Sequence, residues 1–169
     1  MTEQNTDDNL ISEFVGSGSE TAFHALVNRH ATMVHATALR QVGQSILAEE
    51  VTQNTFLALA RKAPSLRKHQ TIAGWLHRCA LLEAKATLRR ELRRQSREHK
   101  AAELNSIQTE GSSPLSQLVP ILDEGLLNLK ETDRQAIVLR FLEDHSLREV
   151  GSALGVEEDA ARKRVSRAL

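Results

Sequence analysis

Apolar residues recur along most of the chain at the three- and four-residue intervals of a helix. Leu26, His30 and Val34 follow one another at intervals of four, which places them on one helix face. His30 is therefore expected to be a packed core or boundary histidine and not a ligand. Gly43 and Pro64 interrupt this pattern, and both residue types end helices. The first half is predicted to hold four helices: Asp7 to Val15, a long helix through Phe23 to Ala38, Ser45 to Lys62, and a helix that begins after Thr71 and runs into the basic tail Arg89 to Arg97.

The pattern changes between residues 98 and 117. Polar residues, Gly and Pro dominate there and the helical period is lost, which is typical of a flexible linker. From Leu118 the period resumes in four short units. We therefore predict an all-α protein with two small helical domains, residues 1–97 and residues 118–169, joined by a linker at residues 98–117.

Three short sequences match the capping box, in which a Ser or Thr at a helix start and a Glu or Gln three residues later satisfy free backbone N–H groups. They begin at Ser17, Thr132 and Ser146. Thr71 is expected to cap the fourth helix, and the residues expected to face inward on that helix are Ile72, Trp75, Leu76, Cys79 and Ala80.

The composition agrees with a helical protein of a reducing compartment. Apolar residues make up 40% of the chain, and most of them are Leu and Ala, which favour helices. The single cysteine, Cys79, is expected to be a small packing residue; one cysteine forms no internal disulfide, which fits the cytoplasm. Residues Met1 to Ser12 are polar and acidic, unlike a signal peptide, and no apolar run approaches a membrane span.

The last helix reaches Leu169 without a cap, so we expect the natural chain to extend further.

Charge is segregated although the formal net charge is zero. Residues 61–100 carry twelve Lys and Arg against three Asp and Glu, a net charge of +9, and a second basic cluster lies between Arg162 and Arg167. Two separate basic clusters in a neutral chain favour two contacts with a polyanion. Solvated helix faces are the ordinary alternative, but they would leave the self-repulsion of the +9 segment uncompensated.

Residues 146–169 have the layout of a helix-turn-helix. Val150 and Leu154 are spaced to face the core, and Gly155 permits a sharp turn between the helices Ser146 to Leu154 and Glu158 to Leu169. Long cationic side chains on an exposed second helix suit the major groove of DNA. An αα-hairpin with a solvated basic face remains the alternative. The inward positions of the second helix are Ala161, Val165 and Ala168, which leaves Arg162, Lys163, Ser166 and Arg167 on its exposed face.

The sequence gives no sign of catalytic or metal chemistry. His77 and Cys79 are separated by one residue on a helix, so their side chains point in different directions, and no second ligand pair follows. Neither a nucleophile with a neighbouring base nor a Gly-rich phosphate loop is present in the sequence. We expect no enzymatic activity, no cofactor and no bound metal.

Three motifs resemble the sigma-70 family of RNA polymerase sigma factors. The stretch from Leu126 to Ala168 resembles region 4, with its Leu-x-x-Leu-x-x-x-x-Arg opening, its Ser-x-x-Glu segment and its final basic helix. Ala48 to Arg61 is similar to the region 2 motif that grips the polymerase clamp, and Ile72 to Arg94 to the region 2 helix that faces the minus-ten element. Because only a short linker separates the two regions, the chain resembles the extracytoplasmic-function (ECF) subfamily.

The resemblance implies a function and a set of contacts. A protein of this family binds the clamp coiled coil and the flap of core RNA polymerase and directs it to promoter DNA, and an anti-sigma factor is a further partner that the resemblance admits. The polymerase-binding residues would be Glu50, Gln53, Asn54 and Leu57. The minus-ten contacts would be Arg67, Lys68, His69, Arg78, Lys85 and Arg89. The minus-thirty-five contacts would be Arg162, Lys163, Ser166 and Arg167.

The sequence departs from the family pattern at several of these places. Asn54 replaces the usual Glu of the clamp motif, and Leu82 stands where the family commonly has an Asn that touches the minus-ten bases. We therefore expect clamp binding to persist and the minus-ten sequence preference to differ.

Two other functions fit the residues alone. The first is a stand-alone helix-turn-helix regulator with a helical dimerisation or sensor domain, which should bind duplex DNA tightly by itself and usually as a dimer. The second is a basic helical protein that binds RNA or chromatin, which should show no promoter preference. A sigma factor differs from both because it should bind promoters well only together with core polymerase.

Overall fold

The computed structural model describes residues 6–66, 71–101 and 125–168, which are mostly helical. The N-terminal part comprises α1 (Asp7–Ser17), α2 (Glu20–Val42), α3 (Ser45–Lys62) with a following 3₁₀ turn (Ala63–Ser65), and α4 (Ile72–Ala101). The C-terminal part comprises a helical turn at residues 125–128, α5 (Glu131–Ile137), a π-helical turn (Val138–Leu142), α6 (Leu147–Leu154) and α7 (Glu158–Ala168). The all-α prediction is confirmed.

Several helix ends follow the predicted local signals. Gly43 adopts the left-handed conformation, with φ of 70°, that ends α2. The N–H of Gly74 donates to the hydroxyl of Thr71 at 3.2 Å, so Thr71 caps α4 as expected. The capping box of α6 is also formed: the N–H of Glu149 donates to the Ser146 hydroxyl at 3.3 Å, and the N–H of Ser146 donates to the Glu149 carboxylate at 2.8 Å.

The predicted capping box at Ser17 is wrong. Gly18 takes the left-handed conformation that closes α1, so α1 runs to Ser17 instead of ending at Val15. The N-cap of α2 is therefore Ser19, whose hydroxyl accepts the N–H of Ala22 at 3.2 Å.

The predicted capping box at Thr132 is also wrong. Thr132 lies inside α5, which begins at Glu131 after Lys130, a residue whose side chain makes no cap hydrogen bond. Instead, the carboxylate of Glu131 accepts a hydrogen bond from the side chain of Gln135, one turn later, at 3.0 Å. The Glu131 side chain thus makes a hydrogen bond along the helix, and the Lys130 side chain does not cap the start of α5.

Helix α4 differs from the prediction in length and in the face that it buries. It continues to Ala101, four residues into the range predicted as linker; residues 102–117 of that range lie outside the described residues. Trp75 and Cys79 are half-buried instead of facing inward, and His77 is fully buried. Leu76 and His77, with the residues one turn before and after them, form the buried face of α4. Trp75 and Cys79 lie at the edge of that face.

The two domains share one continuous apolar cluster. In the N-terminal domain, α2, α3 and α4 meet around the fully buried side chains of Leu26, Leu59 and Leu76. Helix α5 and the π-helical turn of the C-terminal domain pack against the start of α4. Gly74 permits this approach, because a Cβ there would lie 2.8 Å from Cγ of Gln135.

Gly151 lets α6 pack closely against the turn of the helix-turn-helix. A Cβ at this position would lie 2.7 Å from the carbonyl oxygen of Val156, which belongs to the backbone of the turn. We expect Gly151→Ala to lower the free energy of unfolding by about 1–3 kcal/mol, because overpacking would force α6 and α7 apart. Chemical denaturation measures the change, with Gly16→Ala as the control.

Gly16 is a matched control because it lies in α1, where an added Cβ would meet no atom within 4 Å. Alanine there should raise the free energy of unfolding by roughly 0.5–1 kcal/mol, since glycine costs that much inside a helix. A Gly151→Ala variant as stable as the wild-type chain would contradict the packing argument.

Candidate functional site

Helix α7 presents one apolar and one polar face. Ala161 is completely buried and Val165 is 7% exposed, and both lie in the apolar cluster, whereas Ala168 is half-buried. Between these anchors the helix cannot rotate without exposing its apolar side. The side chains left on the solvent side are those predicted from the spacing: Arg162, Lys163, Ser166 and Arg167 are all exposed.

The cations of α7 are held in different ways. Arg162 pairs with Glu158 at 3.1 Å and with Asp159 at 3.2 Å, both in the first turn of the same helix. Arg167 reaches across to α5, where its Nε donates to the nearly buried carboxylate of Asp133 at 3.1 Å. Lys163 forms no ion pair with the described part of the chain. Because exposed ion pairs contribute little free energy, Arg162 can leave Glu158 and Asp159 for another anion at small cost.

The turn before α7 fixes the angle at which this face is displayed. Gly155 ends α6 in the left-handed conformation, with φ of 63°. The N–H of Val156 then donates to the carbonyl of Gly151 at 2.9 Å, and the Val156 side chain packs against the apolar cluster. The turn therefore has the conformation that its sequence predicts.

Helix α3 carries the predicted polymerase-binding stripe. Its opposite side is buried through Ala48, Val51 and Leu59. On the stripe Gln53 and Leu57 are exposed, the latter by 53%. Glu50 and Asn54 are half-buried.

The same stripe begins one turn earlier than predicted. Ile46 lies four residues before Glu50, on the same face, and is 81% exposed. A single exposed apolar residue near a helix start is ordinary. Ile46, however, lies on the same helix face as the exposed Leu57, and the helical spacing of the sequence already indicates this alignment. Glu50 is also tied to α4, because its carboxylate accepts a hydrogen bond from Arg90 at 2.7 Å.

The residues predicted for minus-ten contacts are only partly within the described residues. Arg67, Lys68 and His69 lie outside them. Arg78 is 51% exposed and stands 3.8 Å from Glu131 of α5. Lys85 is half-buried and Arg89 is exposed, and the guanidinium of Arg89 donates to the carbonyl of Lys85 at 3.2 Å.

A basic groove lies beside these residues. It has a volume of about 710 Å³ and runs between α3 and the second half of α4. The basic tail is evident in the sequence, but among its arginines only Arg89 was predicted as a contact. The cations that line the groove are Arg90, Arg93, Arg94 and Arg97; Glu50 and Glu91 line it as well.

The described residues give two further findings. No helix among them is both long enough and apolar enough to cross a membrane. Within the same residues, no three His, Cys, Asp or Glu side chains are grouped so that they could hold a metal ion.

Comparison with known proteins places both domains in one family. The model of sigma-70 region 2 matches residues 26–98, and the model of sigma-70 region 4 matches residues 121–169. The chain is 31% identical over 179 residues to the ECF RNA polymerase sigma-E factor of Haemophilus influenzae, across 99% of this chain and 94% of that protein. It is also 31% identical over 153 residues to the RNA polymerase sigma factor CarQ of Myxococcus xanthus, across 89% of this chain and 86% of that protein.

The order of the two regions agrees with the order of the two domains in the fold, and the match extends over nearly the whole chain. The stand-alone regulator and the general RNA binder are therefore not favoured. The chain belongs to the sigma-70 family, in the ECF subfamily of RNA polymerase sigma factors, which bind core RNA polymerase and direct it to initiate transcription at specific promoters.

Proposed function

We propose that three exposed faces of this sigma factor divide its work. The stripe on α3 binds core polymerase, the cations before α4 and on its basic face hold the minus-ten region, and α7 reads the minus-thirty-five element. The observation that carries the proposal is the segregation of α7, on which Arg162, Lys163, Ser166 and Arg167 are exposed while Ala161 and Val165 are buried.

The polymerase contact is assigned to α3 because of its mixed surface. Gln53 offers hydrogen-bonding groups, and Leu57 and Ile46 offer exposed apolar area on the same face. Interfaces take most of their energy from a few side chains that become fully desolvated. The clamp coiled coil, a helical partner, suits a stripe of this length, and the flap is proposed to meet the region 4 domain.

The minus-ten contact is assigned to the cations on and before α4. Arg78, Lys85 and Arg89 follow one another along the helix, and the arginine-lined groove adds further cations in the second half of the same helix. Cations in this arrangement suit contacts with DNA phosphates. Such contacts fix the position of the protein on the duplex but give little sequence information. Arg67, Lys68 and His69 stay part of the proposal on the strength of the sequence.

Salt dependence tests the minus-ten assignment. The logarithm of the promoter-binding constant of the polymerase complex should fall linearly with the logarithm of the salt concentration. Each neutralised phosphate on duplex DNA contributes about 0.9 to the slope. Arg89→Ala should lower the slope by about 0.9, the value of one phosphate contact. Arg89→Lys keeps the charge and should leave the slope unchanged. Filter binding or fluorescence anisotropy between about 50 and 200 mM salt, where binding falls steeply, gives both slopes. An unchanged slope in Arg89→Ala would remove this residue from the phosphate contacts.

The regulatory setting is part of the same proposal. We infer that the chain acts in the cytoplasm, has no catalytic activity of its own, and is held inactive by an anti-sigma factor. Membership of the ECF subfamily supports this inference. Isolation of the tagged chain from cells before and after stress, followed by identification of bound proteins, tests the anti-sigma component.

A further inference from the structure

His30 of α2 joins the two domains. Its side chain is 2% exposed. The ring nitrogen Nε2 lies 2.9 Å from Oδ2 of Asp7, at the start of α1, and Nδ1 lies 3.0 Å from Oε1 of Glu143, which follows the π-helical turn of the region 4 domain. The Nδ1 contact thus spans 113 positions of sequence.

With both carboxylates ionised, this geometry is satisfied only by a charged histidine. An ionised carboxylate only accepts hydrogen bonds, and a neutral imidazole has a single N–H. With a carboxylate at each ring nitrogen, a neutral ring would set a lone pair against one of them. The doubly protonated ring donates to both carboxylates, and it also neutralises one of the two negative charges beside it.

Other charged groups face the same place from each element packed around it. Arg29 of α2 also pairs with Asp7, so the positive charges of Arg29 and protonated His30 offset the carboxylates of Asp7 and Glu143. A cavity of about 520 Å³ borders the cluster. The titratable and charged side chains that line this cavity are Asp7, Asp8, Arg29, His30, Glu143, His145 and Glu149.

The pKa of His30 agrees with the geometry. Burial alone would lower this pKa, but the hydrogen bonds and charges of Asp7 and Glu143 outweigh the burial and raise it to about 9. The pKa of Asp7 is lowered: burial acts in the opposite direction and is outweighed by the hydrogen bonds and charges of His30 and Arg29.

Two more contacts join the domains in this structure. Gly74 admits Gln135 against α4, and Arg78 approaches Glu131 at 3.8 Å. Since Arg78 is among the proposed promoter contacts, this arrangement places a carboxylate of the region 4 domain where it would compete with DNA for Arg78.

We propose that His30 is a proton-dependent latch that closes the region 4 domain onto the region 2 domain. The latch is protonated when Glu143 is in place; loss of the proton leaves one N–H for two carboxylates and removes the positive charge that holds Glu143 beside the ring. Asp7 stays beside His30 in both arrangements, so the Glu143 contact is what distinguishes the closed form.

The direction of the pH effect follows from this difference. The pKa of His30 is higher in the closed form than in the open form, so closure is favoured at low pH and is lost as the pH rises through the pKa of the closed form, about 9. If Glu143 accounts for about one unit of the pKa, the ratio of open to closed molecules should rise about fivefold between pH 6 and pH 9, because half of the closed molecules still carry the proton at pH 9.

Distance measurements on the full chain test the latch. Cys79→Ser removes the native thiol, and Glu49→Cys on α3 with Arg148→Cys on α6 place one spin label on each domain at exposed positions. Double electron–electron resonance at pH 6 and pH 9 then counts closed and open molecules. Glu143→Gln, which keeps the shape but removes the charge, should abolish or reverse the pH response. His24→Gln, an exposed histidine on the same helix, should keep it.

Each outcome decides the proposal. A rise in the open population with pH that is lost in Glu143→Gln and kept in His24→Gln supports the latch, as does loss of the response in His30→Gln where that variant keeps its helical circular dichroism. Equal populations at both pH values would overturn it. So would a response that survives in Glu143→Gln, or one that vanishes in His145→Gln, because the proton would then act elsewhere. None of these results depends on the promoter contacts proposed above.

Discussion

Simultaneous replacement of Gln53 and Leu57 by alanine is expected to abolish co-purification of this sigma factor with core RNA polymerase. Both side chains are exposed on α3, and neither belongs to the core. Truncation of two central interface residues typically costs about 3 kcal/mol or more, which weakens binding more than a hundredfold. Because the opposite face of α3 carries the packing, the helical content and the unfolding midpoint should stay close to those of the wild-type chain.

The control for this prediction is a second Gln and Leu pair. Leu92 and Gln95 are exposed on α4, Leu92 by 63%, and their replacement by alanine removes the same kinds of atom at another place. This control variant should co-purify with polymerase as well as the wild-type chain does. Retention of polymerase by the Gln53 and Leu57 double variant would remove α3 as the docking helix.

The second large effect is expected at the minus-thirty-five element. Loss of one bidentate contact between arginine and guanine should cost roughly 1–3 kcal/mol and relax the preference at one promoter position. Arg162 and Lys163 lie near the N-terminus of α7, the end that enters the groove first in this motif. Arg162→Ala and Lys163→Ala should therefore change upstream sequence preference. Transcription from promoters randomised upstream, with polymerase present, measures this directly.

Arg167 provides the contrast within the same helix. It lies a turn later and is oriented by Asp133, which suits a phosphate contact. Arg167→Ala should weaken all promoters alike, since phosphate contacts carry no direct sequence information. If Arg162→Ala and Lys163→Ala also lowered transcription uniformly, with unchanged preference, their base-reading role would be wrong.

Local features of the fold could be predicted from the sequence because their causes are local. The helix-turn-helix depends on Ser146, Gly155 and the spacing of Val150, Ala161 and Val165, all within twenty residues, and it has the predicted form. The expected box at Ser17 failed because Gly18 ends α1 and Ser19 caps α2. The expected box at Thr132 failed because α5 already begins at Glu131. Sequence spacing does not reveal which of two nearby signals a helix uses.

The contact between the domains could not be predicted in this way. The sequence predicts a packed core or boundary position for His30, and His30 is buried. Its partner Glu143, however, lies far along the chain, and Gly74 gives no sign in the sequence that Gln135 approaches it. The buried face of α4 shifted for the same reason, since the C-terminal domain packs against its start. Long-range packing decides such positions more than local propensity does.

Run-off transcription with purified core polymerase and a promoter library tests the central claim most directly. We predict that the full chain confers transcription on a subset of promoters that share minus-thirty-five and minus-ten sequences, and that neither core polymerase nor this chain alone selects them. Tight, promoter-specific binding of duplex DNA by the chain without polymerase, together with no promoter-specific transcripts in its presence, would contradict the account.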